Sequence, residues 1–231
     1  MRTARTMKTP HKAETLARKP RSTKRQRLPP EDRAQQILTG AISYFAERGF
    51  DGQTRELTSR LGISKGLLYR YFPGKDALIE RVYEEVFIGR WDPHWDLLIA
   101  DRSIDLLPRL KAFYVQYAVK MLHNYEWVRI YLLSGIAGAS INRRFSNFVA
   151  QHVFGPVLNE LRFEFKHPDI KKKPPSESEM ELMWGLHGAI FYIGVRKWIY
   201  HVEVPVDAES AVALLVDGLY ENASKLLRTE R

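Results

Sequence analysis

The stretch Thr54-Arg-Glu-Leu-Thr-Ser-Arg-Leu-Gly-Ile-Ser-Lys-Gly-Leu-Leu-Tyr-Arg-Tyr-Phe-Pro-Gly-Lys75 decides how the rest of the chain is read. Thr54 reads as an N-cap, its hydroxyl accepting from an otherwise unpaired amide at the start of a short helix. That helix carries Leu57 and Leu61 at i, i+4 spacing, which gives it one narrow apolar face. Gly62 ends it, because glycine enters the left-handed backbone region at little cost. Ser64 then caps a second short helix with Leu68 and Phe72 on its apolar side, and Pro73-Gly74 closes it. Two short helices joined by a Gly-centred turn make a helix-turn-helix, whose second helix lies in a DNA major groove. A plain helical hairpin shares the turn, so the exposed face must discriminate. That face holds Lys65, Tyr69, Arg70 and Tyr71, with no acidic residue between Ser64 and Lys75. Such a surface suits a polyanion.

Residues 33–78 resemble the N-terminal domain of the TetR family of bacterial transcriptional repressors. The matching residues are Ile37, Leu38, Ala41, Phe45, Gly49-Phe50, Thr54, Leu57, Gly62 to Gly66, Leu68-Tyr69, Tyr71-Phe72, Lys75 and Leu78. The resemblance covers about a fifth of the chain. It departs at Leu67, where the family very often has threonine, and at Thr58, where alanine is usual. It implies an all-α fold, with an N-terminal three-helix DNA-binding domain containing the helix-turn-helix. A larger helical ligand-binding and dimerisation domain follows. Carried onto this sequence, the DNA-contacting positions are Arg33, Thr54, Arg55, Ser64, Lys65, Gly66, Leu67, Tyr69, Arg70, Tyr71 and Lys75. Thr54 and Ser64 would bond phosphates, and Lys65 and Arg70 would meet base edges or nearby phosphates. Tyr69, Tyr71 and Lys75 would clamp the backbone, as the matching family positions do. Leu67 would touch a thymine methyl. A symmetric homodimer reading a palindromic double-stranded operator is the mechanical consequence.

The chain has 231 residues, no cysteine and a net charge of +9. Disulfides, thiol catalysis and thiolate metal sites are therefore excluded, and a reducing compartment, the cytoplasm, fits. No apolar run approaches the length of a membrane span. Residues 1–30 contain ten Lys or Arg and one acid, Glu14. That leaves 26 basic and 26 acidic side chains for the other 201 residues, so the body is formally neutral. The segment 1–30 reads as a disordered basic arm with Pro10 and Pro20 breaking any helix. Two readings of it stand open. It adds phosphate or minor-groove contacts, or it is a solvated tail with Met7 as the initiator.

The domains expected are the arm 1–30, the helix-turn-helix domain 31–75 and an effector-binding and dimerisation domain 76–231. Residues 31–48 form a first helix with Ile37, Leu38, Ala41, Ile42 and Phe45 inward. A fourth helix runs over 76–92 and links the domains; by resemblance it is the lever that moves the paired recognition helices. Breaks are expected at 91–95 and 101–105. Helices follow over 106–123, 126–138 and 141–165, the last kinked at Pro156. Residues 167–175 are a loop, and Ser176-Glu-Ser-Glu179 is a capping box opening a helix to about His201. Residues 202–206 are extended around Pro205, and Asp207 caps a last helix.

Aromatic density in the second domain points to a site for a small apolar or aromatic effector, as the family normally has. The candidates are Phe113, Tyr117, Tyr131, Phe148, His152, Trp184, His187 and Phe191. Each alone could equally be packing. Gly185, Gly188 and Gly194 on the penultimate helix suggest close approach, which places the dimer interface on the last two helices. No nucleophile elbow, phosphate-cradling loop or zinc-binding helix motif occurs, so neither enzyme chemistry nor a cofactor or metal is expected. The alternative to a ligand-responsive repressor is an architectural DNA binder without an effector. A tightly packed second domain would favour it.

Overall fold

In the computed structural model, which describes residues 29–122, 124–204 and 207–229, the chain is helical throughout its ordered core. The first helix, α1 (Pro30–Arg48), begins one residue earlier than its pattern suggests. Proline is compatible with the first turn, and Glu31 and Asp32 follow it there. Residues 1–28 of the basic arm, along with His123, Pro205 and Val206, lie outside the described residues.

α2 (Thr54–Leu61) and α3 (Lys65–Tyr71) form the helix-turn-helix. One expectation is corrected. The cap of α2 is Gln53, which has extended backbone geometry and whose carbonyl accepts from the Leu57 amide at 3.2 Å. The chain turns one residue earlier, so Thr54 is already helical and its hydroxyl does not cap. Gly62 stops α2 at φ +61°, and the Ser64 Oγ accepts from the Leu67 amide at 3.1 Å, both as read from the sequence.

α4 (Lys75–Tyr83) does not continue as an α-helix to residue 92. It widens into a π-helical turn over Glu84–Ile88. Between the two expected breaks lies a further short helix, α5 (His94–Ala100), which takes in the last two residues of the first; Trp95 and Ile99 are buried at i, i+4, and residues 101–105 are non-helical as expected. Then come α6 (Leu106–Leu122), α7 (Tyr125–Ile136) and α8 (Ser140–Val149). A second π-helical turn, Ala150–Phe154, joins α8 to α9 (Gly155–Glu164). The kink expected at Pro156 takes this form. A proline ring conflicts with the carbonyl four residues back, and widening the preceding turn relieves the conflict. α10 (Glu177–Trp198) opens with both bonds of the capping box, and the Asp207 carboxylate accepts from the Ser210 amide at 2.9 Å ahead of α11 (Ala208–Thr229).

The buried residues form one continuous cluster from Ile37 to Leu227. α11 lies along α6, α10 packs on α11 and α7, and the other side of α7 packs on α1. The Arg129 Nε of α7 donates to the Ala46 carbonyl near the C-terminus of α1 at 2.7 Å. Arg144 of α8 forms a two-pronged bond to Glu80 of α4 at 2.6 and 2.7 Å. The helix-turn-helix thus rests on a core shared with the rest of the molecule. Among the described residues no helix is long and apolar enough to cross a membrane.

Candidate functional site

The DNA-facing candidates sort by whether their charge is already used. Arg60 of α2 is bonded to Glu47 at 2.6 Å and to Glu56 at 3.0 Å, and Arg48 reaches Glu56 at 3.3 Å. The Arg60–Glu47 and Arg48–Glu56 pairs tie α2 to α1. The Tyr44 hydroxyl adds to them, donating to the Gln53 carbonyl at 3.0 Å and lying 3.2 Å from a Glu56 oxygen. Arg55, Lys65, Arg70 and Lys75, by contrast, make no ion pair with any described carboxylate. Arg55, Lys65 and Arg70 are exposed, and Lys75 is half-buried at the first turn of α4. Within residues 31–75 the fold pairs two arginines with glutamates, while these four cations and Arg33 have no carboxylate partner among the described residues.

Their neighbours are preorganised. The Lys65 ammonium lies 5.5 Å from the centre of the Tyr69 ring, and the Tyr69 hydroxyl is 3.4 Å from that of Thr54. Leu67 and Tyr71 are partly exposed on α3, whereas Leu68 is fully buried beneath them. Gly66 faces open space, with nothing but the Ser64 Oγ at 4.0 Å from where a β-carbon would sit. Arg33, on the first turns of α1, bonds Gln36 at 2.7 Å. Thr58, the other departure from the family pattern, is buried, and its hydroxyl donates to the Arg55 carbonyl at 3.0 Å. It needs no partner from outside.

The aromatic candidates do not form one open pocket. A cavity of about 10 Å³ is lined by Tyr117, Met121, Trp127, His187, Ile190 and Phe191. Three expected residues meet there: Tyr117, His187 and Phe191. Tyr131 stacks on Trp127 behind it, with ring centres 5.7 Å apart, and Phe113 stacks on Tyr117 at 5.8 Å. Trp184 is further out, against Phe154 and His187. Phe148 and His152 stack on each other at 4.2 Å and pack against Trp91, away from the cavity lining. Met121, Trp127 and Ile190 were missed as lining residues. Their helical spacing marks them as core, but which core residues surround a gap depends on how α6, α7 and α10 cross.

Three of the lining residues carry buried polar atoms without a protein partner. The Tyr117 hydroxyl, the Trp127 Nε1 and the His187 Nδ1 are all buried and unbonded. Burial pushes His187 down to about 4, so its ring is neutral near pH 7, and burial raises Tyr117 well above the usual phenol range. Among the described residues, no group of three or more His, Asp or Glu is placed to hold a metal ion.

The face of α10 and α11 carries the other expected feature. Gly185 and Gly188 of α10 and Gly218 of α11 have nothing within 4 Å of a notional β-carbon. A surface groove of about 330 Å³ runs between these helices past Leu182, Leu186, Leu215 and Leu219. Leu214 beside it is 71% exposed.

Residues 37–82, the segment holding the helix-turn-helix, match the model of bacterial regulatory proteins of the tetR family. The chain carries a TetR-family N-terminal domain. A transcriptional regulator from Pseudomonas aeruginosa PAO1 shares the fold with a TM-score of 0.61 at 20% identity, over 87% of this chain and 96% of that one. A TetR-family regulator from Pectobacterium atrosepticum does so with a TM-score of 0.51 at 20% identity, over 83% and 92%. One from Mesorhizobium loti MAFF303099 gives 0.52 at 15% identity, over 86% and 98%. At these identities the likeness is one of fold. It covers the long helices that follow the matched domain as well as the domain itself.

Proposed function

We propose that this chain is a ligand-responsive transcriptional repressor of the cytoplasm that binds a palindromic operator as a homodimer. Residues 31–75 act as the reading unit and 76–231 as the effector-binding and dimerisation unit. The observation that carries the reading is the division among the cations. Arg48 and Arg60 are bound to glutamates, while Arg55, Lys65, Arg70 and Lys75 are unpaired among described residues around the recognition helix. Unpaired charge on one face is what phosphate binding requires. Thr54 and Tyr69 present a hydroxyl pair to the backbone, Ser64 donates its remaining hydroxyl proton, and Gly66 lets a phosphate approach α3. Leu67, Arg70 and Lys65 meet base edges, Tyr71 and Lys75 flank them, and Arg33 reaches the backbone from α1. Dimerisation uses the α10–α11 groove, with Leu214 of each copy entering the small-residue surface of the other.

Selection of DNA sites from a random pool by the purified protein tests this reading. A palindrome is expected, and no enriched sequence at moderate salt would sink it. On the selected site, Lys65→Ala and Arg70→Ala should each weaken binding and flatten the salt dependence by about 0.9 for each phosphate left unneutralised. They should also relax preference at particular bases. Tyr69→Ala should weaken all sequences alike. Leu214→Asp should give a monomer with weak operator binding; a dimer of unchanged affinity would place the interface elsewhere.

One observation favours the second reading, an architectural DNA binder without an effector. The aromatic core leaves only about 10 Å³ empty.

A further inference from the structure

Helix α2 has no side-chain cap of its own. Gln53, which precedes it, has extended geometry and makes no side-chain bond to the first amides of the helix. The start of α2 is held instead from α1. The Tyr44 hydroxyl donates to the Gln53 carbonyl at 3.0 Å and lies 3.2 Å from a Glu56 oxygen. Tyr44 is buried, and Gly52 makes room for it, since a β-carbon at position 52 would fall 2.6 Å from its ring. The residue after Gln53 is Thr54, whose hydroxyl is 3.4 Å from that of Tyr69 on α3, and both side chains are partly exposed. One run of polar contacts thus leads from the interior face of α1 to a hydroxyl pair at the surface between α2 and α3.

We propose that Tyr44 is a positioning residue for DNA binding: through the Gln53 carbonyl it fixes where α2 begins, and so holds the Thr54 hydroxyl where it and the Tyr69 hydroxyl can bond one phosphate. The inference rests on the DNA-binding reading above and adds to it a buried residue that touches no DNA. Two hydroxyls that share a phosphate bind it more tightly if their order exists before the phosphate arrives, because ordering them on binding costs entropy. The Tyr44 bond is not needed to satisfy its partners. The Gln53 carbonyl already accepts from the Glu56 and Leu57 amides at 3.0 and 3.2 Å, and the Glu56 carboxylate holds Arg48 and Arg60. The bond therefore contributes placement, and Tyr44→Phe removes it while keeping the ring and stranding no buried group.

The test is a double-mutant cycle on the full chain, read as affinity for a mixed-sequence duplex at fixed salt, since a phosphate contact acts on any sequence. Tyr44→Phe and Thr54→Val should each lower affinity by about five- to tenfold. The melting temperature of Tyr44→Phe should fall by no more than about 4 °C. In the Thr54→Val background Tyr44→Phe should cost less than about twofold, because the hydroxyl it positions is already gone. Gly52→Ala, whose β-carbon displaces the Tyr44 ring, should reproduce the Tyr44→Phe loss and lose its effect in the same background. It serves as the readout if Tyr44→Phe fails to fold. Losses that multiply in the double variants would overturn the proposal, because Tyr44 would then act on the fold at large. So would a Tyr44→Phe protein that binds as tightly as the parent. Either result leaves the DNA-binding reading standing, whereas a parent protein that binds no duplex would overturn both.

Discussion

At the scale of single residues, the Arg162–Glu179 pair shows how charge is buried here, with each guanidinium nitrogen of Arg162 bound. Arg162 and Glu179 are 3% and 2% exposed and bonded twice, both at 2.6 Å. Arg162 also donates to the carbonyls of Pro168 at 3.1 Å, Lys173 at 2.5 Å and Pro174 at 3.3 Å, so it anchors the loop before α10. Glu179 is at the same time the acid of the capping box. Burial raises its pKa, but the bonds from Arg162 and from the Ser176 amide outweigh that and hold it below the ordinary 4.5. A carboxyl lowered by folding stabilises the native state above its unfolded pKa, and that contribution is lost as pH falls through the folded value. Glu179→Gln should therefore cost about 3–5 kcal/mol near neutral pH, since it strands a buried guanidinium. In thermal melts the gap between parent and variant should be constant from pH 7 to 5 and close below about pH 4.5. A gap that does not narrow at all as the pH falls below 4.5 would mean another group carries the acid sensitivity. The capping function of Glu179 was legible in the sequence, because Ser176 and Glu179 lie three residues apart. Its partner was not, since nothing local ties position 179 to Arg162. The same holds for Tyr117 and His187, whose shared cavity depends on three crossing helices.

At the scale of elements, local signals placed most helices and long-range packing altered a few. Gly62, Ser64 and Asp207 act where they stand in the sequence because a stop or a cap involves only neighbouring residues. The π-helical turns after α4 and α8 were not legible, because apolar spacing near 3.6 residues cannot show a locally widened turn. Nor was α5, which starts within the expected break at 91–95, where the Asp92 carboxylate accepts from the His94 amide at 3.0 Å. The most consequential element contact is also non-local. On α7, Trp127 lines the cavity while Arg129, two residues on, bonds the last turn of α1. That turn carries Glu47 and Arg48 and lies next to Tyr44, which together hold α2. Movement at the cavity thus has a path to the helix-turn-helix through α7 and α1. This path is separate from the Arg144–Glu80 bridge to α4. Arg129→Met keeps the aliphatic stem and removes the donor. It should cost about 1.5–3 kcal/mol, as expected for a charged hydrogen bond, and speed amide exchange over residues 42–49 while α11 is unchanged. Unaltered protection in α1 would show that apolar packing alone holds the two helices together.

At the scale of the whole molecule, the reading unit and the regulatory unit are not separate bodies. Ile37, Phe45, Leu57 and Leu68 belong to the same buried cluster as Leu78, Val82, Phe87 and Trp127. A boundary drawn at residue 75 therefore cuts through a core, leaving a small fragment that would expose the side of α1 on which α4 and α7 pack. The fragment 29–75 should accordingly show little helix by circular dichroism. The full chain should unfold in one transition, with near- and far-ultraviolet signals superimposing. Two separate transitions, or a fragment that melts cooperatively, would show that the domains fold independently. The outcome bears directly on regulation. Under the effector and dimer readings proposed above, a ligand seated in the second domain would act through this shared core on the surface on which α1 rests. Its binding energy would alter the spacing of paired recognition helices without a flexible linker to absorb the movement.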